Sequence, residues 1–160
     1  MKTPLFNKTS TKRGLTLIEI IVVLGIFAII LAISMTVFIN SRKTASLNSI
    51  RDTIVSTLEQ AKSNALAGKG GTTHSVVFAS SSFTMFTGST FNASSTSNRI
   101  HNIDTGFALS TTYTSNNTVT FSRLNGLPQA SGTITIKSLS DASSTKSIQI
   151  GTQGDITVVK

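Results

Sequence analysis

The apolar and polar positions divide the chain into unlike stretches. Residues 1–14 are short and basic. From Leu15 to Ser34 come twenty residues of which only Thr16, Glu19 and Ser34 are polar. A helix rises about 1.5 Å per residue, so this run spans roughly 30 Å, the thickness of a bilayer's hydrocarbon core. Beyond it, Leu47, Ile50, Ile54, Leu58, Ala61 and Ala65 recur at spacings of three and four, while Arg51, Asp52, Glu59 and Lys62 fall mostly elsewhere. That period predicts an amphipathic helix whose apolar stripe packs on a sheet. Residues 15–67 therefore read as one helix, apolar all round in its first half and one-sided in its second. Gly68-Lys69-Gly70-Gly71 ends it, because glycine takes the left-handed cap at least cost.

After the helix the period shortens to two, the alternation of strands with one buried and one wet face. Ser75–Ala79 and Phe83–Thr87 form a hairpin across Ser80-Ser81-Ser82. Phe107–Tyr113 and Thr118–Ser122 flank Thr114-Ser115-Asn116-Asn117. Thr133–Lys137, Ser147–Ile150 and Asp155–Val159 complete the set, the last after a Gln153-Gly154 turn. Thr87–Asn102 is rich in Ser, Thr and Asn and reads as a long loop. Leu124-Asn125-Gly126-Leu127-Pro128 reads as a turn, since Pro128 is barred from a central strand. Strands in succession without intervening helices predict antiparallel meanders. The fold class is α+β: a long N-terminal helix packed on a C-terminal antiparallel sheet domain. The expected divisions are 1–14, a basic leader; 15–36, an apolar helix half; 37–67, an amphipathic half; and 72–160, a β-rich domain.

Glu19 is the anomaly. A carboxylate inside hydrocarbon costs on the order of 2.5–3.5 kcal/mol near a helix centre, less near an end. No Lys, Arg or His lies within the apolar run, and the neighbouring cations are Lys12 and Arg13. A cut after Gly14 would create an α-amine on Leu15, about one helical turn from Glu19. Arg13-Gly14 followed by Leu15-Thr16-Leu17-Ile18-Glu19 and an aliphatic run resembles the class III signal of type IV pilins and type II secretion pseudopilins. The matching residues are Gly14, Thr16, Leu17, Ile18 and Glu19; Leu15 departs mildly, Phe or Met being more usual there. The resemblance implies a prepilin peptidase that cuts after Gly14 and methylates Leu15. It further implies that Glu19 recognises an N-terminal amine during assembly. An ordinary secretory signal has a shorter apolar core and no reason for Glu19. A simple anchor explains the length but not Gly14.

A looser resemblance covers the C-terminal half. Val119-Thr120-Phe121, then Asn125-Gly126, Gly132-Thr133-Ile134, Ser147-Ile148 and Gly154 are spaced as in minor pseudopilins of the GspH/FimT type. Many relatives carry a proline near Thr36; this chain has none there, so no proline kink is available. The resemblance implies, as partners, other pilin subunits, an assembly platform protein and an ATPase. It places the chain in the bacterial inner membrane with its sheet domain outside the cytoplasm, and in a filament after assembly.

Composition narrows the rest. The chain of 160 residues fits one domain plus an anchor. Net charge is +8, but four of fourteen cations precede Gly14, leaving ten against six acids. The basicity is partly a targeting feature, and lysines ahead of the run favour the cytoplasmic side. With no cysteine there is no disulfide, thiolate metal site or Cys nucleophile.

No catalytic constellation emerges, so the chain is not expected to be an enzyme, and no cofactor or metal is implied. His74 and His101 read as surface histidines. Asp141 and Asp155 read as turn residues, and Lys69-Gly70-Gly71 lacks the spacing of a phosphate loop. Some FimT-like minor pilins bind DNA through a basic C-terminal segment. Here Thr152–Lys160 holds one cation and one acid. Phosphate affinity grows with the cations engaged, so nucleic acid is not an expected partner, although Lys137, Lys146 and Lys160 are candidates for a patch. The function expected is a structural subunit, a minor pilin or pseudopilin; the alternatives are a major pilin or a DNA-binding minor pilin.

Overall fold

A computed structural model of the protein describes residues 14–113 and 116–159, with the side chains of residues 34–37 excepted. The chain divides into two compact units, residues 1–40 and Ser41–Lys160. Helix α1, Leu17–Leu66, contributes to both. The structure confirms the predicted class, one long N-terminal helix with a C-terminal antiparallel β domain.

The helix begins two residues later than its apolar pattern suggests. Thr16 stands at its N-cap: the Thr16 hydroxyl accepts from the Glu19 N–H at 3.3 Å, satisfying one of the four donors a helix start leaves unpaired. Leu15 therefore lies before the cap. At the other end, Gly68 adopts φ 62, ψ 23, the left-handed cap expected of it. Two amides close the last turn on Ala65 O: Gly68 N–H at 3.0 Å and, from far along the chain, Leu124 N–H at 2.8 Å.

In the second unit eight strands form two sheets. The strands are β1 His74–Phe78, β2 Ser82–Thr87, β3 Arg99–Asn102, β4 Phe107–Thr111, β5 Thr118–Phe121, β6 Gly132–Ser138, β7 Thr145–Ile150 and β8 Ile156–Val159. The first sheet has the order β3-β2-β1-β5 and the second β4-β6-β7-β8. The β1–β2 hairpin pairs Phe78 with Phe83 as its alternation requires.

Two expectations fail here. The stretch read as a loop from Thr87 to Asn102 contains β3, which pairs Arg99 with Met85 and His101 with Phe83. Its hydrophobic signal is a single Ile100, but the His101 ring stacks on Phe83 at 5.0 Å between centroids and fixes the register. The meander also breaks in the middle. β4 and β5 are consecutive but lie in different sheets, so the chain leaves the first sheet, returns for β5 and leaves again. Backbone bonds tie that exchange: Leu109 N–H donates to Ser80 O at 2.9 Å and Phe78 N–H to Asn117 O at 3.0 Å. Residues 114 and 115 of the expected connection lie outside the described residues.

The core gathers the predicted helix stripe. Leu47, Ile54, Leu58, Ala61 and Ala65 are buried, and Ile50 is half-buried against them. Facing them are Val76, Phe83, Val119 and Phe121 of the first sheet, with Ile134, Ile136, Ile148 and Ile150 of the second. Burying a side chain of this kind contributes about 1.5–3 kcal/mol, and no cysteine is available to supplement it.

Candidate functional site

In the first unit the N-terminal motif lies open. Gly14 precedes the helix, and a Cβ added there would meet no atom within 4 Å. Leu15 is exposed, at 72% of its surface. Glu19 occupies the first turn of α1. It is the only ionisable residue between Arg13 and Arg42. The helix start supplies what the sequence reading overlooked. Aligned peptide dipoles place roughly half a positive charge at a helix N-terminus, which favours a carboxylate in the first turn. Thr16-Leu17-Ile18-Glu19 also has the Thr-x-x-Glu spacing of a capping box, a signal readable without coordinates. The carboxylate thus has one electropositive neighbour before any cut is made.

Behind it, Leu17, Ile18, Leu24, Phe27 and Ile29 are all exposed. The helix is long and apolar enough to cross a membrane, and none of its most apolar eighteen-residue window is buried within the chain. Apolar surface on every side of a helix requires lipid or other helices.

In the second unit the structure places the remaining candidates. His74 is not a surface residue: it is buried at the start of β1, and its Nε2 lies 2.9 Å from Lys69 O, a contact in which Nε2–H donates. His101 is half-buried on Phe83 in β3. Among the described residues no group of three or more His, Asp or Glu side chains is placed to hold a metal. Asp141 is a turn residue. It accepts from the Ser144 hydroxyl at 2.6 Å and from the Ser143 hydroxyl and amide at 2.7 and 3.0 Å. These bonds, Ser144's foremost, hold its carboxyl down at about 2. Asp155 closes the β7–β8 turn, its carbonyl accepting from Gly151 N–H at 3.0 Å.

Of the three lysines named for a patch, the two described ones do not share a face. Lys146 opposes Ile136 in the β6–β7 register, so the two share the core-side face, while Lys137 opposes Thr145 on the other face. Lys160 lies outside the described residues.

The glycine spacing of the C-terminal half acquires a physical reason. Gly126 and Gly154 both have positive φ, 61 and 77. A Cβ on Gly154 would stand 3.1 Å from Gly126 O and 3.4 Å from Lys62 Nζ; one on Gly126 would stand 2.7 Å from Leu66 Cγ. Lys62 Nζ donates to Gly154 O at 2.7 Å. Two distant turns therefore meet beneath the end of α1, and neither leaves room for a side chain.

The elements now described are a long helix with an open, acid-bearing first turn and a sheet domain packed on its second half. Residues 9–35 match the prokaryotic N-terminal methylation motif. The fold is similar to that of the type IV minor pilin FimU of Pseudomonas aeruginosa in two crystal forms. The first shares 17% identity with a TM-score of 0.57, over 71% of this chain and 93% of that one. The second shares 16% identity with the same TM-score, over 71% of this chain and 88% of that one. At such identity the likeness is one of fold. No curated protein matches the sequence.

Proposed function

We propose that the chain is a membrane-anchored structural subunit, a minor pilin or pseudopilin, of a type IV pilus or a type II secretion pseudopilus. A prepilin peptidase cuts after Gly14 and methylates Leu15. The subunit waits in the inner membrane with its sheet domain outside the cytoplasm. A platform protein and an ATPase then move it into a filament, where helices of neighbouring subunits replace lipid around α1. Glu19 meets the N-terminal amine of a subunit and sets register. The observation that carries this reading is a helix apolar on every side, with one carboxylate in its capped first turn, directly after Arg13-Gly14. The fold likeness to FimU supports the minor class over the major one. Lys137 and Lys146 lie on opposite faces of their sheet, which does not favour the DNA-binding alternative.

Mass spectrometry of the protein purified from membranes tests the proposal. The expected N-terminus is a methylated Leu15. A terminus near Ser34, or an intact leader in cells that carry the peptidase, overturns it.

A further inference from the structure

The first sheet has a second face, turned away from the core, that the filament reading leaves unused. Ser75, Thr84, Phe86, Thr118 and Thr120 share it by register. The loop after β2 lies over part of this face. Phe91 of that loop meets Phe86 edge-on, ring centroids 5.3 Å apart at 63°. Between this loop and β5 runs a cleft of about 570 Å³ lined by Ser89, Thr90, Phe91, Asn116, Thr118, Thr120, Gln129 and Ala130. Its size is within the roughly 300–1,000 Å³ of small-molecule sites.

The lining has an unusual chemistry for so basic a chain. It holds no ionisable side chain, only hydroxyls, two amides and one aromatic ring 40% exposed. The hydrogen-bond roles are partly fixed. The Ser75 hydroxyl lies 2.6 Å from Gly88 O and 3.0 Å from Thr120 Oγ1. Its proton points to the Gly88 carbonyl, the shorter contact, and is shared with Thr120 Oγ1. Thr120 Oγ1 thus accepts from Ser75 and keeps its own proton for the cleft. Thr118 Oγ1–H is spent on Asn116 O at 3.0 Å, leaving an acceptor. The side-chain amides of Asn116 and Gln129 bring donors and acceptors together. The loop is pre-ordered: Asn92 Oδ1 accepts from Ser94 N–H at 3.0 Å, and Asn98 Nδ2 donates to Asn92 O at 2.8 Å. Phe91 is thereby held beside the polar groups.

Acceptors, amides and a fixed aromatic platform without charge suit one ligand class. We propose that this cleft binds a neutral saccharide, whose hydroxyls donate to Thr118, exchange hydrogen bonds with Thr120, Asn116 and Gln129, and whose C–H face rests on Phe91. The site faces away from the α1 stripe and stands independently of the filament assignment.

The test is titration of the isotope-labelled full chain in detergent micelles with neutral trisaccharides of glucose, galactose, mannose and N-acetylglucosamine, followed by amide NMR shifts. At least one is expected to give saturable shifts confined to Ser89, Thr90, Phe91, Thr118, Gln129 and Ala130, with Kd on the order of 1 mM. Gln129→Ala and Phe91→Ala should each weaken it about tenfold or more, while Lys137→Ala leaves it unchanged. Gln129 is exposed, so its truncation leaves the core intact. The proposal is overturned if none of the four sugars gives saturable shifts, or if the shifts survive both cleft variants undiminished.

Discussion

Tyr113 is the only tyrosine in the chain, and there is no tryptophan. Its ring covers Gly132 so closely that a Cβ there would stand 2.7 Å from Tyr113 Cζ. Its hydroxyl is buried and, among the described residues, meets no hydrogen-bond partner. Burial pushes the phenol from 10.0 up to about 12. Between those values the folded chain keeps a proton that the unfolded chain has lost. Stability is therefore full below pH 10 and falls as pH rises toward about 12. Phenolate absorbance of the native protein should titrate near 12, against about 10 in denaturant. Tyr113→Phe removes an unsatisfied hydroxyl and should stabilise the domain by about 1 kcal/mol in thermal or denaturant melts. Asp141 works in the opposite direction. Its carboxyl is held down by Ser144 and Ser143, so the stability it lends is present above about 3.8 and is lost as pH falls through about 2. A side-chain NMR titration should find its midpoint near 2, and Ser144→Ala should raise it.

At the scale of elements, α1 is two helices in physical terms. Leu58 is wholly buried beneath both sheets, whereas Ile21 is more than half exposed. Leu58→Ala should cost about 2–5 kcal/mol in the unfolding of the sheet domain. Ile21→Ala should leave that transition unmoved, because Ile21 lies exposed on the part of α1 that is apolar all round; circular dichroism melts in micelles compare the two. The stripe of Leu47, Ile54, Leu58, Ala61 and Ala65 was legible because a 3.6-residue period repeats over five turns. Most strands were legible for the same reason at period two. β3 was not, since Arg99-Ile100-His101-Asn102 carries one apolar residue and its register comes from a histidine stacked on Phe83 across the ladder. The exchange of β4 and β5 between sheets was hidden too, because alternation tells which face is buried but not against which neighbour. The helix start was readable and was missed: Thr16-x-x-Glu19 spells a cap, yet the aliphatic run drew the boundary back to Leu15.

For the molecule as a whole, Glu19 stands where two duties meet, and removing its side chain outright would confound them. One is local: a carboxylate in the first turn of α1 suits the positive end of the helix dipole. The other, in the proposed filament, is to meet the amine of a neighbouring chain. A capping box accepts Gln in place of Glu, since the amide oxygen still reaches back toward the N-cap amide. Only the carboxylate carries charge. Glu19→Gln should therefore keep helix content and membrane insertion at wild-type levels while filament incorporation falls at least tenfold. Glu19→Val removes a polar group from the run, so insertion should improve as incorporation fails. Membrane fractionation measures the first quantity, and the amount of subunit in sheared filaments measures the second. If Glu19→Gln assembles normally, the charge has no role between subunits and the carboxylate serves the helix start alone. Arrest of both variants in the membrane fraction, folded and cut after Gly14, locates its work in the step from lipid to filament.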